Sequence, residues 1–73
     1  MSDVHWLRKI EALRPGDACE FKYPARPDWR RGTVRVNGLG GWWTIFDEVE
    51  GKTISGLYIE QIRLPGQTEA WPR

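Results

Sequence analysis

A chain of 73 residues with a formal net charge of +1 and 29% charged residues makes one small ordered domain. It carries no overall field that would draw it to nucleic acid or a membrane surface. Its single cysteine, Cys19, excludes an intramolecular disulfide and the multi-cysteine zinc sites.

Residues 2–13 read as a short amphipathic helix. Ser2 or Asp3 can accept a hydrogen bond from a free first-turn N–H. Trp6, Ile10 and Leu13 fall at i, i+4 and i+7, with Leu7 beside them, as one apolar stripe. Pro15-Gly16-Asp17 stops the helix. So short a helix does not persist alone, so its stripe either packs on the rest of the domain or pairs with another copy. His5 has no second imidazole or placed nucleophile near it in sequence, so neither a metal site nor a catalytic triad is expected there.

Strands and turns follow. Residues 18–23 alternate Cys19, Phe21 and Tyr23 against Ala18, Glu20 and Lys22, the pattern of a half-buried strand. Cys19 is expected there as a small buried hydrophobe rather than a reactive thiol. Pro24 and Pro27 bracket a loop. Residues 30–36 make a second strand, with Gly32, Val34 and Val36 on one face and Arg31, Thr33 and Arg35 on the other. Asn37-Gly38-Leu39-Gly40-Gly41 predicts a glycine-rich hairpin connection, because Asn-Gly readily takes the positive φ that tight hairpins require. Gly38, Gly40 and Gly41 are turn chemistry and not a phosphate loop: no lysine follows and the segment leads into a strand. Residues 42–49 and 53–58 predict the third and fourth strands. Ile59-Glu60-Gln61 predicts a tight helical turn, residues 62–64 a last short strand, and residues 65–73 a polar tail on which Trp71 either folds back or dangles.

Five tryptophans, two of them adjacent at Trp42 and Trp43, are the strongest functional signal. A pleated strand sends neighbours to opposite faces, so one indole enters the core and the other meets solvent. With Trp43 and Ile45 inward, Asp47 follows them and needs either a partner or a bulge that spares its charge. The opposite register puts Trp42, Thr44 and Phe46 inside. The first register, with a bulge at Asp47, is the expected one.

Five short strands joined by tight turns fit a small closed or nearly closed barrel. Pro15-Gly16-Asp17 leads into the first strand, Trp29-Arg30-Arg31-Gly32-Thr33-Val34 into the second, and Trp43-Thr44-Ile45-Phe46-Asp47-Glu48 gives the third. Gly56-Leu57-Tyr58-Ile59-Glu60-Gln61-Ile62-Arg63-Leu64 supplies a closing strand, a single 3₁₀ turn and a last strand. This succession resembles the SH3-like barrels of the Tudor kind. The resemblance covers residues 14–64 and implies a five-stranded SH3-like barrel there; with the helix and tail read from the residues, the expected fold is mainly β, with a short N-terminal helix over 1–13 packed on the barrel and a flexible tail over 65–73. A narrower similarity is to the plasmid-borne, trimethoprim-insensitive dihydrofolate reductases, which work as tetramers around a pore. That family lines its pore with a valine-glutamine-isoleucine-tyrosine run; here Ser55, Gly56 and Leu57 replace the first three, and Tyr58 remains. Losing the glutamine removes the amide that would hold a pteridine or nicotinamide ring.

Two sets of candidate site residues follow. Trp29, Trp42, Phe46 and Tyr58, beside Asp47 and Glu48, are the expected ligand- or peptide-binding set. Such rings can box a cationic side chain, stack on a proline-rich segment or stack on bases. Their bland alternative is core packing. Arg30, Arg31 and Arg35, with Arg26 nearby, are the alternative set, for a nucleic-acid contact through arginine forks. Asp28, Asp47, Glu48 and Glu50 equally make that face an ordinary paired surface.

The expected function is a small non-catalytic binding module that engages a protein or peptide, with no cofactor and no metal. The alternatives are an oligomeric ligand-binding or reductase-like barrel with a central pore, in which the chain is a homo-oligomer, and a nucleic-acid accessory module. No apolar run approaches the roughly 18 residues of a membrane-spanning helix. Residues 1–5 lack the basic and apolar stretches of a signal peptide, so the expected location is cytoplasmic.

Overall fold

The computed structural model describes residues 5–68. A helix, α1 (His5–Glu11), precedes strands β1 (Ala18–Phe21), β2 (Arg30–Val36), β3 (Trp43–Asp47), β4 (Lys52–Leu57) and β5 (Ile62–Arg63), with a 3₁₀ turn (Ile59–Gln61) between the last two. All strands are antiparallel in one sheet of order β4-β3-β2-β1-β5. The mainly β class stands, but the sheet is not closed into a barrel: its edge strands, β4 and β5, do not pair. β5 is only two residues long and the end of β4 is taken up by a bulge, so neither edge offers a ladder for closure. No helix among the described residues is long and apolar enough to cross a membrane.

Every strand feeds one core. Ile10, Leu13, Cys19, Phe21, Val34, Trp43, Ile45, Leu57 and Ile62 are buried together, with Trp6, Tyr23, Ile54, Ile59 and Leu64 packed around them. Ile10 and Leu13 of the predicted stripe thus bind the helical segment to the sheet. Ser2 and Asp3, the expected caps, lie outside the described residues. Gly32 has a packing reason to be glycine, because a Cβ there would stand 2.6 Å from Ile45 Cγ2 and 2.8 Å from Phe21 Cδ1.

Two register shifts change what simple alternation predicts. Between β2 and β3, Val34 opposes Ile45 but Val36 opposes Thr44, so β2 carries an extra residue. That bulge turns Val36 outward, 51% exposed, although parity groups it with the buried Val34. Between β3 and β4, Trp43 opposes Leu57 while Ile45 opposes Ile54, and the extra residue lies in β4. Gly56, at φ +82, supplies the left-handed backbone there.

The predicted hairpin connection over residues 37–41 forms between antiparallel β2 and β3, but not with the Asn-Gly backbone expected. The only described non-glycine residue with positive φ is Ala25, at 67°, and Gly40 rather than Gly38 takes positive φ in this loop. Asn37 works through its side chain instead. Its amide donates to the carbonyls of Glu11 at 2.9 Å and Leu13 at 2.6 Å, and its Oδ1 accepts from the Leu39 N–H at 2.8 Å. The β2–β3 loop thus satisfies the Glu11 carbonyl at the end of α1 and the Leu13 carbonyl just beyond it.

The predicted tail begins too early. Gln67 is buried; its Oε1 accepts from the Leu64 N–H at 2.9 Å, and its own N–H donates to the Leu64 carbonyl at 3.0 Å. Residues 65–68 thus belong to the fold, while Trp71 lies outside the described residues.

Candidate binding groove

Trp43 is fully buried and Trp42 is 65% exposed, the division that a pleated backbone requires of adjacent rings. Trp42 does not stand alone outside. Tyr58, 55% exposed, walls the same open groove of about 540 Å³. Leu7 of α1, Leu39 of the β2–β3 loop and Ile59 of the 3₁₀ turn add apolar surface, and Glu11 and Glu60 add carboxylates. The glycines of the loop bring its backbone close to Trp42: a Cβ on Gly38 would meet the Trp42 carbonyl oxygen at 2.0 Å.

The 3₁₀ turn that carries Tyr58 and Glu60 is fastened down. The Tyr58 N–H donates to Gln61 Oε1 at 2.8 Å, the Lys22 N–H donates to the Gln61 carbonyl at 3.0 Å, and Gln61 Nε2 donates to the Lys22 carbonyl at 3.3 Å. The next loop is held by the Arg26 N–H, which donates to the Tyr23 carbonyl at 3.1 Å across Pro24 and the left-handed Ala25. Alanine carries a steric cost in that conformation.

The other expected rings lie elsewhere. Trp29 is half-buried beneath the Arg63 guanidinium, 4.4 Å from its centroid, and the Lys22 ammonium at 5.1 Å. Phe46 is half-buried beneath Arg35, whose guanidinium is 4.9 Å from the ring. Of the four rings, Trp42 and Tyr58 line this groove and Trp29 and Phe46 do not.

Asp47 is the clearest departure. No bulge spares its charge; it is 0% exposed and fully partnered. Oδ2 accepts from the Tyr23 hydroxyl at 2.6 Å and from Arg30 Nη1 at 3.5 Å, and Oδ1 accepts from the N–H groups of Val49 at 2.8 Å and Glu50 at 3.0 Å. Burial pushes its pKa up, but the Tyr23 hydroxyl, the two backbone N–H groups and Arg30 outweigh that and hold it below the ordinary value. It fixes the β3–β4 turn and ties Tyr23 to it, so its carboxylate does not face a ligand. Glu48 is exposed and accepts a hydrogen bond from the Thr33 hydroxyl.

Of the arginine set, Arg30 is already engaged, with Glu50 at 3.2 Å, Asp47 at 3.5 Å and Asp28 at 3.7 Å. Arg31 and Arg35 are exposed. Leu7, Leu39 and Ile59 were not singled out from the sequence as site residues. The one available signal was Leu39, a large apolar residue set among glycines in a loop. The chain matches no known protein family, and no curated protein or solved structure is significantly similar to it.

Two protons held by the fold, on buried Cys19 and half-buried Tyr23, predict an alkaline weakness. Burial, with Glu20 nearby, raises the Cys19 thiol from 9.0 to about 12. Burial and the hydrogen bond to Asp47 raise Tyr23 from 10.0 to about 12. Both groups keep their protons in the folded state after the unfolded chain would release them. Their contribution is whole below pH 9.0 and is lost as pH climbs toward 12. The urea midpoint should therefore fall across that window, and fall less steeply in Tyr23→Phe; a level midpoint would contradict the assignment.

Proposed function

We propose that this chain is a small non-catalytic binding module, of the SH3-like kind its strand succession resembles, that engages an apolar peptide segment through the Trp42–Tyr58 groove. The observation that carries this reading is the convergence of two exposed rings, from segments distant in sequence, on one apolar hollow. Exposed rings cost solubility, and tryptophan and tyrosine supply much of the energy where they line recognition surfaces.

The test is an amide-shift titration of the labelled protein with capped peptides of leucine, proline and arginine. Trp42→Ala should weaken binding by about tenfold or more while its urea midpoint barely moves, since surface changes cost within about 0.5 kcal/mol. Equal affinity in wild type and Trp42→Ala would dispose of the reading.

A further inference from the structure

We infer that the groove continues across Tyr58 and Glu60 into a second hollow, and that the two together take an extended peptide with a basic residue at one end and an acidic residue at the other. This rests on the binding reading above and specifies its ligand. The second hollow, of about 590 Å³, is walled by Lys22, Pro24, Arg26 and Pro27, and it shares Tyr58 and Glu60 with the first. A chain lying in one hollow and leaving over the Tyr58 ridge therefore enters the other.

The charges at the two ends are opposite. Glu11 stands in the first hollow, Lys22 and Arg26 in the second, and Glu60 on the ridge between them. None of the four has an ion-pair partner among the described residues. Neither cation is neutralised: the Arg26 guanidinium lies 5.8 Å from the centroid of Tyr23, which also walls this hollow, while the Lys22 ammonium lies 5.1 Å from that of Trp29, which does not. Aromatic faces orient a cation and leave N–H donors for a carboxylate. The hydrogen bonds between Lys22 and Gln61 hold the second wall against the ridge, so the spacing of the charges is built into the fold. Complementarity of this kind selects the partner and its orientation more than it adds raw affinity.

Four capped peptides with the same leucine-proline centre test this: arginine then glutamate at the ends, glutamate then arginine, arginine at both, and glutamate at both. One of the unlike-ended peptides should bind roughly fivefold tighter than either like-ended one, the scale of an exposed charge pair. Its titration should shift the Trp42 indole N–H and the Lys22 and Arg26 amides together. Arg26→Glu should transfer the preference to the doubly basic peptide, and Glu11→Lys to the doubly acidic one. Each variant's own amide spectrum reports whether it is folded. Binding confined to the Trp42 side and indifferent to Arg26→Glu overturns the two-hollow track and leaves the groove reading standing. No shift from any of the four peptides sinks both.

Discussion

Trp43→Ala should leave the domain largely unfolded at room temperature. The indole is fully buried at the centre of the core. Truncating such a ring costs about 3–5 kcal/mol through lost transfer energy and the cavity left behind. A domain this small has a core that rarely supplies more than about 3–5 kcal/mol of net stability. The two quantities are of the same size, so circular dichroism should report loss of the sheet. Trp43→Phe should do much less harm for a second reason. The Trp43 indole N–H is buried with no hydrogen-bond partner among the described residues, and removing an unsatisfied donor offsets part of the lost packing. If Trp43→Ala melts like wild type, the core is not organised around this ring.

Asp47→Ala should be nearly as damaging, at about 3–5 kcal/mol, the usual cost of breaking a buried hydrogen-bonded charge. It would strand the Tyr23 hydroxyl, which donates to Asp47 at 2.6 Å, and two turn N–H groups. Asp47→Asn keeps an acceptor for those N–H groups and should recover part of the loss. The sign of the pH dependence separates charge from shape. The folded carboxyl sits below its ordinary value, so its contribution is present above the unfolded pKa and is lost as pH falls through the folded one. Urea midpoints measured downward from pH 5 should therefore drop in wild type and drop less in Asp47→Asn. Equal acid slopes in the two proteins would show that the carboxylate's charge contributes nothing.

Local pattern made part of this legible in the sequence. The alternation of Cys19 and Phe21, the spacing of Ile10 and Leu13, and the opposed fates of Trp42 and Trp43 follow from periods of 2 and 3.6 acting on neighbours. What could not be read depends on partners far along the chain. Asp47 is tolerable inside only because Tyr23 and Arg30 reach it from another loop and strand. Val36 turns outward because a bulge breaks its parity. The groove joins α1, the β2–β3 loop and the 3₁₀ turn, so no window of sequence contains it. Tyr58 and Trp42 were legible as candidate rings, but their meeting, and the exclusion of Trp29 and Phe46 from it, belongs to topology.

Asn37 ties the fate of two segments together. One amide group closes the Glu11 carbonyl ending α1 and the Leu13 carbonyl beyond it while its own carbonyl holds the glycine-rich loop, so neither can detach without stranding the other's polar groups. Helix and loop should then exchange their protected amide hydrogens as one opening unit, at one common rate. Because Leu7 and Glu11 come from the helix and Leu39 from that loop, a ligand seated among them would slow exchange in both at once. Occupancy would thus be readable from amides that touch nothing bound.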